Sequence, residues 1–268
     1  MLKDITLGQY FPGNSVAHKL DPRTKILLVT LYIIALFSAK GLVGYAVMIA
    51  TLAACVKVSH VGLKSLVRGL KPLVVIIVFT GVLNVFFTPD THYLWEWGIL
   101  RISVKGVANA LFMVVRIMLL VMGTFLMTYT TSPIRLTDGL ESLLNPLKKI
   151  HVPVHELAMM MAIALRFIPT LIEETDKIMS AQKARGADFE SGSLFQKAKA
   201  LVPILVPLFI SAFRRADELA TAMECRCYHG GEGRTKLHVL KYQRRDYIAL
   251  AGGAVILALV VVLRRLGT

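Results

Sequence analysis

Long apolar runs, uncharged except for Arg116 in the fourth, constrain the fold of this chain more than any other feature of its sequence. They are residues 26–39, 41–56, 72–89, 107–131 and 247–263. About 20 consecutive apolar residues cross a bilayer as a helix, in which the backbone satisfies its own hydrogen bonds. Because the first two runs are short, Lys25, Lys40 and Lys57 are expected to snorkel to the membrane surfaces. The pattern predicts an all-α integral membrane protein with about five transmembrane helices.

The distribution of charge predicts how these helices are oriented. The chain has 31 Lys and Arg against 17 Asp and Glu, with a mean hydropathy of +0.62. A nucleic-acid-binding protein would explain the charge but not the apolar runs. The basic residues concentrate before the first run, after the second, and between the fourth and the fifth, which places these segments in the cytoplasm and the C-terminus outside. Tyr93, Trp95 and Trp97 are expected to form an aromatic belt at the opposite membrane edge.

The segment 132–246 is predicted to be a cytoplasmic domain between the helices of 1–131 and a last helix in 247–268. Ser132 is expected to cap a helix that starts at Pro133, and Asp21, which precedes Pro22, is expected to cap the first span in the same way. Two further apolar runs are 156–169, interrupted by Arg166 and Pro169, and 200–213, broken by Pro203 and Pro207. Both are short for membrane spans, yet they are too hydrophobic to face water. We therefore expect amphipathic helices that lie along the membrane face. The alternative is that both runs cross the membrane.

An internal repeat marks the ends of two helices in this domain. The first copy has Asp176, Ala181 and Arg185, and each residue recurs 41 positions later, as Asp217, Ala222 and Arg226. An arginine in a last helical turn interacts favourably with the helix dipole, and Gly186 suits a left-handed C-terminal cap, so a single copy needs no functional explanation. Two copies, each flanked by small residues, instead favour a pair of guanidinium groups that bind acidic pockets on a partner. The residues expected to pack along the helices are Met179, Ala181, Ala222 and Met223.

The sequence resembles the transmembrane T component of energy-coupling factor (ECF) transporters, which import vitamins and metal ions into prokaryotic cells. The resemblance is carried by the leader "ITLGQYFPGNSVAHKLDPRTK" (5–25), by "LESLLNPLKKIHVPVHELAMMMAIALRFIPTLIEE" (140–174), by "AQKARG" (181–186) and by "RADELATAMECRCY" (215–228). In this family, two cytoplasmic coupling helices end in Ala-Arg-Gly-type motifs that dock into two ATP-binding subunits.

Carried over to this chain, the resemblance assigns the docking role to two sets of three residues. They are Ala184, Arg185 and Gly186 in the first copy, and Cys225, Arg226 and Cys227 in the second. The second copy departs from the family pattern, since cysteines replace the usual alanine and glycine. A left-handed turn costs more at Cys227 than at a glycine, so Arg226 is expected to dock from a slightly different helix end.

The resemblance also implies a set of partners. These are two cytoplasmic ATPase subunits, as a homodimer or a heterodimer, and a separate substrate-binding membrane protein, the S component, with lipid around the spans. The chain itself is then a non-catalytic subunit in the prokaryotic plasma membrane. It is expected to bind no cofactor, metal or nucleic acid directly, while ATP and Mg²⁺ bind to the ATPase subunits. The choice of transported compound belongs to the S component.

Two other functional classes stay open at this point. A conventional ABC importer permease would form its own substrate path, which calls for polar residues within the spans. A membrane enzyme would need converging acid, base or metal groups, and the spans offer little beyond Asn84 and Arg116. An arginine within a span costs about 2.5–3.5 kcal/mol on insertion, so Arg116 should face a partner or a polar cavity. A structural ion pair, a shifted span boundary and a transport role are all compatible with it.

Three motifs resemble known sites but are not predicted to be functional. Cys225, Cys227 and His229 are too closely spaced and too few for a usual structural zinc site. Pro153 is expected to exclude His151 from the helix that contains His155. The run "HGGEGRTK" (229–236) lacks the spacing of a phosphate-binding loop and is expected to be a turn.

Overall fold

A computed structural model describes residues 10–87, 93–97, 100–189, 193–230 and 239–266. The helices are α1 (Val16–Lys19), α2 (Pro22–Ser38), α3 (Gly41–Ser59), α4 (Leu63–Leu70), α5 (Val74–Phe87), α6 (Val104–Thr130), α7 (Pro133–Leu144), α8 (Val154–Ala184), α9 (Leu194–Glu224) and α10 (Arg244–Arg265). Short 3-10 turns at Lys71–Leu73 and Asn145–Ile150 precede α5 and follow α7, respectively. Between α5 and α6, strands β1 (Tyr93–Trp97) and β2 (Leu100–Ser103) pair in a two-stranded antiparallel sheet.

The chain divides into two compact units. The bundle unit comprises the described residues of 8–139 and 240–268, and the hairpin unit comprises those of 140–239. In the bundle unit, α6 packs against α2, α3, α4 and α5, while α10 packs against α2 and α3. The hairpin unit is built mainly from α8 and α9, which pack against each other.

Within the described residues, five helical segments are long and apolar enough to cross a membrane. They are Gly41–Ser59, Leu63–Phe87, Val104–Thr130, Val154–Ala184 and Arg244–Arg265. The predicted all-α membrane fold is confirmed, and the number of candidate spans equals the predicted number, although one member differs. Helix α2 has 17 residues and rises about 25 Å, which is short of the roughly 30 Å hydrocarbon core, whereas α8 is long enough. The predicted aromatic belt lies in β1, whose side chains are outside the described part of the structure.

The expectation that prolines interrupt the two apolar runs of the cytoplasmic segment is wrong. Helix α8 continues for 31 residues through Pro169, and α9 continues for 31 residues through Pro203 and Pro207. Because Pro207 has no N–H, the carbonyl of Pro203 loses its usual partner within the helix. The side-chain amide of Gln182 on α8 donates a hydrogen bond of 3.3 Å to this carbonyl. The neighbouring helix therefore satisfies the group that the proline leaves free.

Both predicted N-caps are present in the bundle unit. The Asp21 carboxylate accepts a hydrogen bond of 2.9 Å from the backbone N–H of Arg23, and Pro22 is the first residue of α2. The Ser132 hydroxyl accepts one of 3.5 Å from the backbone N–H of Arg135 in α7. These caps fix where the helices begin on either side of α6.

Lys25 does not snorkel, contrary to expectation. Its side chain is buried, and its ammonium group donates hydrogen bonds to the Thr130 carbonyl at 2.8 Å and to the Thr131 hydroxyl at 3.1 Å. These bonds place the first turn of α2 against the end of α6. The lysine therefore ties the start of one helix to the end of another.

Asp246, at the start of α10, is a buried residue that no local pattern of the sequence indicates. Its carboxylate accepts hydrogen bonds of 2.8 Å from the backbone N–H groups of Asp21 and Gln243. Asp246 therefore joins the start of α10 to the start of α2. The starts of α2 and α10 and the end of α6 accordingly lie at the same end of the bundle unit.

A close approach between α2 and α6 explains one glycine of the core. The Tyr32 hydroxyl donates a hydrogen bond of 3.0 Å to the carbonyl of Leu119. A Cβ atom at Gly123 would meet the Tyr32 ring at 2.4 Å, so a larger residue at this position would push the helices apart.

Candidate functional site

The first arginine of the repeat lies at a complete Schellman motif that ends α8. Arg185 is the C-cap residue, and Gly186 adopts the left-handed conformation with a φ of +85°. The N–H of Ala187 donates to the Gln182 carbonyl and that of Gly186 to the Lys183 carbonyl, both at 3.0 Å. Since a Cβ atom at Gly186 would meet nothing within 4 Å, glycine is needed here for its backbone conformation and not for space.

The second arginine lies at the same kind of helix end, which corrects the expectation of a different one. Cys227 adopts the left-handed conformation with a φ of +57°, although it carries a side chain. The N–H of Tyr228 donates to the Met223 carbonyl at 3.0 Å, and that of Cys227 to the Glu224 carbonyl at 2.9 Å. Each of these donors and acceptors lies 41 positions after its equivalent in the first copy. The two hydrogen bonds compensate for the strained residue and keep the end of α9 equivalent to the end of α8.

The six predicted docking residues are all exposed. They form two groups, which we call tip 1 (Ala184, Arg185 and Gly186) and tip 2 (Cys225, Arg226 and Cys227). Of the four residues expected to pack along the helices, Met179 and Met223 are half-buried, whereas Ala181 and Ala222 are exposed. Neither arginine forms an ion pair within the described part of the chain. Both tips are thus open to another protein.

Three pairwise contacts show that α8 and α9 run antiparallel and hold the tips apart. The Tyr228 hydroxyl donates a hydrogen bond of 3.2 Å to the sulfur of Met159, near the start of α8. At the other end, Gln182 reaches the Pro203 carbonyl. Tip 2 therefore lies beside the start of α8, while tip 1 lies at its end. With a rise of 1.5 Å per residue, the two arginines are about 40 Å apart.

The third contact, near the middle, is an ion pair between equivalent positions of the repeat. The Arg215 guanidinium donates a hydrogen bond of 2.9 Å to the Glu174 carboxylate. These two residues are 41 positions apart, which is the spacing of the repeat itself. The two helices are consequently related by an approximate two-fold axis that passes near this pair. The sequence already carried the signal, since opposite charges occupy equivalent positions.

A cavity of about 300 Å³ lies beside the ion pair. Its lining combines three apolar side chains with three charged ones, namely Ile163, Phe167, Leu219, Arg166, Arg215 and Glu218. Arg166 is exposed within the apolar part of α8. The cavity is therefore amphipathic, with cationic groups next to an apolar surface.

Apolar side chains are exposed along both helices of the hairpin unit. On α9 they are Phe195, Leu201, Val202, Leu205, Val206, Phe209, Ile210 and Phe213, and on α8 they are Leu157, Met160 and Met161. An exposed apolar surface of this kind is typical of a contact with another protein or with lipid.

Arg116, the predicted intramembrane polar residue, does not form an ion pair in the described part of the chain. Its Nε atom donates a hydrogen bond of 2.8 Å to the hydroxyl of Tyr45 on α3. Its guanidinium carbon also lies 5.8 Å from the ring centroid of Phe37 and 5.7 Å from that of Tyr45. The partners of this cation are thus neutral and aromatic.

The remaining motifs form no metal-binding group among the described residues. No group of three or more His, Cys, Asp and Glu side chains in these ranges could hold a metal ion. His151 lies outside α8, with a left-handed φ of 61°, and Pro153 precedes the helix, as predicted. The His155 ring lies 3.0 Å from the Glu141 carboxylate. The glycine-rich run at 229–236 falls largely outside the described residues.

Comparison with known proteins identifies the family. The family model described as cobalt transport protein matches residues 13–237. The chain is 57% identical over 250 residues to the energy-coupling factor transporter transmembrane protein EcfT of Clostridium kluyveri, which covers 93% of each chain. It is 53% identical over 248 residues to the EcfT of Ruminiclostridium cellulolyticum, at 92% of each chain. With the EcfT of Bacillus subtilis it shares 46% identity over 264 residues, covering 98% of this chain and all of the relative.

These matches agree with the resemblance found in the sequence, and together with the apolar helices they show a multi-pass membrane protein of bacteria. The chain belongs to the family of energy-coupling factor transporter transmembrane proteins, the T components.

Proposed function

We propose that this chain couples two cytoplasmic ATPase subunits to a substrate-binding membrane protein, the S component, in an ECF-type importer of a vitamin or other micronutrient. The observation that carries the proposal is the pair of equivalent helix ends, each with an exposed arginine, about 40 Å apart on one antiparallel hairpin. Two separate sites of the same shape suit two ATPase subunits. One subunit would then bind each tip.

The arginines are suited to bind carboxylates in the grooves of these subunits. A guanidinium forms bidentate hydrogen bonds with a carboxylate, and the Schellman motifs hold Arg185 and Arg226 at defined backbone positions. ATP and Mg²⁺ would bind to the ATPase subunits and not to this chain. When the ATPase subunits move on binding ATP, both tips would move with them, since one hairpin connects them.

The exposed apolar faces of α8 and α9 would bind the S component. They combine large aliphatic and aromatic side chains, which bury well against an apolar membrane protein. A displacement of the tips would then be transmitted through the hairpin to the S component, which would change its orientation in the membrane. In this proposal, the chain transmits motion and takes no part in hydrolysis or substrate recognition.

The test replaces both arginines, and an exposed arginine within α9 serves as the control. Arg185→Ala with Arg226→Ala removes the two cations, and losing one member of a buried ion pair costs about 3–5 kcal/mol. We expect the double variant to insert into the membrane, to lose its ATPase subunits on purification and to show no uptake. Arg214→Ala, at an exposed position on α9, should retain the ATPase subunits and normal uptake.

The single variants refine the result. Each should release one ATPase subunit more readily than the other if each tip binds one subunit. Normal uptake by the double variant, with its full complement of ATPase subunits, would disprove the proposal.

A further inference from the structure

Arg116 is a cation with incomplete partners inside an apolar helix bundle. A guanidinium has five N–H donors, and the Tyr45 hydroxyl is the hydrogen-bond acceptor that the described part of the chain provides for it. The aromatic rings of Phe37 and Tyr45 add weaker attraction. Ionisable residues within membrane spans generally pair with one another, with backbone carbonyls or with a water-filled cavity. Arg116 therefore needs an acceptor beyond those that its own bundle supplies.

The sequence shows that this acceptor is not a carboxylate from the apolar runs of the bundle unit. The runs 26–39, 41–56, 74–87, 107–131 and 247–263 contain no Asp or Glu. A second copy of the chain has the same runs, so its bundle unit cannot supply an intramembrane carboxylate from them either. In α8, the acidic residues lie at Glu156 and at 173–176, on either side of its apolar stretch. The missing anion therefore comes from another membrane segment, outside the bundle unit.

A lipid phosphate fits the position of Arg116 less well than a protein carboxylate does. Arg116 lies about 18 Å from the first residue of α6 and about 21 Å from the last, measured along the helix axis. Its hydrogen bond to Tyr45 directs the side chain to a neighbouring helix and not toward a membrane surface. A headgroup at either surface would have to reach well into the hydrocarbon region, whereas a transmembrane segment can bring a carboxylate to any depth.

The site is accessible from outside the bundle. The guanidinium lies where α6 meets α3 and the end of α2, and Phe37 on α2 is 59% exposed. Arg116 itself is partly exposed. We propose that Arg116, Tyr45 and Phe37 form a docking point for an Asp or Glu side chain in a membrane-embedded segment of a partner protein. That partner is the substrate-binding membrane subunit. The identity of the partner rests on the function proposed above, whereas the need for a carboxylate does not.

Photo-crosslinking in the intact complex tests this inference without altering Arg116. Phe37 is replaced by benzoylphenylalanine in the complex of this chain with the two ATPase subunits and the substrate-binding subunit, reconstituted in nanodiscs. We expect the crosslinked peptide to be a membrane-embedded segment of the substrate-binding subunit that contains Asp or Glu. The same probe at Val255, an exposed apolar position on α10, should not crosslink to that peptide.

Charge exchange then tests the pairing itself. Arg116→Gln should reduce the substrate-binding subunit retained on purification by at least about tenfold, because it leaves a carboxylate unpaired in the membrane. Arg264→Gln, at the end of α10, should leave the amount of retained substrate-binding subunit unchanged. Arg116→Glu should restore binding only when the acidic residue of the crosslinked peptide is changed to Lys.

Three results would overturn the inference. They are a crosslink to phospholipid alone, a crosslinked peptide without an acidic residue, and unchanged retention in the Arg116→Gln complex. Recovery of the ATPase subunits serves as the separate readout for the proposed function. If they are retained while the crosslink reaches only lipid, the docking inference fails and the coupling function stands.

Discussion

Replacing Gly186 with alanine should loosen tip 1 through the backbone alone. The residue has a φ of +85°, and an added Cβ atom would meet nothing within 4 Å, so the substitution creates no clash. An L-residue in the left-handed region costs about 1–2 kcal/mol. Alanine recovers about 0.4–1 kcal/mol of this because it restricts the unfolded chain. The net loss at the end of α8 is thus about 1 kcal/mol.

Tip 2 offers the reverse experiment in the same molecule. Cys227 already has a left-handed φ of +57°, so Cys227→Gly should remove strain where Gly186→Ala introduces it. Hydrogen exchange, read by mass spectrometry on peptides covering each tip, measures both effects. For a change of 1 kcal/mol in local opening, we expect exchange about fivefold faster at Ala187 in the first variant and slower by a similar factor at Tyr228 in the second.

A glycine with an ordinary helical backbone provides the control. Gly252, within α10, also has open space around it but no left-handed conformation, so Gly252→Ala should leave exchange at both tips unchanged. If Gly186→Ala slowed exchange at tip 1, or if Cys227→Gly accelerated it at tip 2, the argument from backbone strain would be wrong.

Three further predictions concern the stability of the two units. A double-mutant cycle of Glu174→Gln and Arg215→Gln should give a coupling free energy of about 0.5–1 kcal/mol, because the ion pair is partly exposed. A value near zero would mean that this ion pair does not hold the hairpin unit together. Gly123→Ala should destabilise the protein by about 1–3 kcal/mol in thermal unfolding, whereas the control Gly252→Ala should not. Equal melting temperatures for the two variants would contradict the close approach of α2 and α6. Asp246→Ala removes the acceptor of the buried N–H group of Asp21 and of the partly buried N–H group of Gln243, so it should destabilise the protein by about 1–3 kcal/mol. A neutral result would show that water replaces the carboxylate.

The sequence predicted those features that depend on local pattern. Apolar runs of sufficient length indicated the helices of the bundle, and the spacing of 41 between Arg185 and Arg226 indicated two helices that each end on an arginine. The cap at Asp21 also followed from local chemistry, because its side chain bonds to the backbone only two residues later. Such interactions need no knowledge of the rest of the fold.

The predictions that failed depended on residues far away in the sequence. Pro207 does not break α9, because the orphaned carbonyl bonds to Gln182 on another helix. Lys25 is buried because its acceptors lie more than a hundred residues later, at the end of α6. For Cys227, a left-handed residue does carry the expected conformational cost, but two hydrogen bonds offset this cost, and they form only in the complete helix end. In each case, a partner absent from the local sequence changed the outcome.

The ion pair at the middle of the hairpin explains why the two copies of the repeat had to diverge there. In a strictly symmetric hairpin, residues equivalent by the spacing of 41 that meet at the two-fold axis would be identical, so two carboxylates or two guanidinium groups would face each other. Like charges at that distance repel, whereas Glu174 and Arg215 attract. At the tips the opposite holds, because Arg185 and Arg226 never meet and can both keep the same side chain. The hairpin is therefore asymmetric where its helices touch each other and symmetric where, in the proposed function, each helix end meets an ATPase subunit.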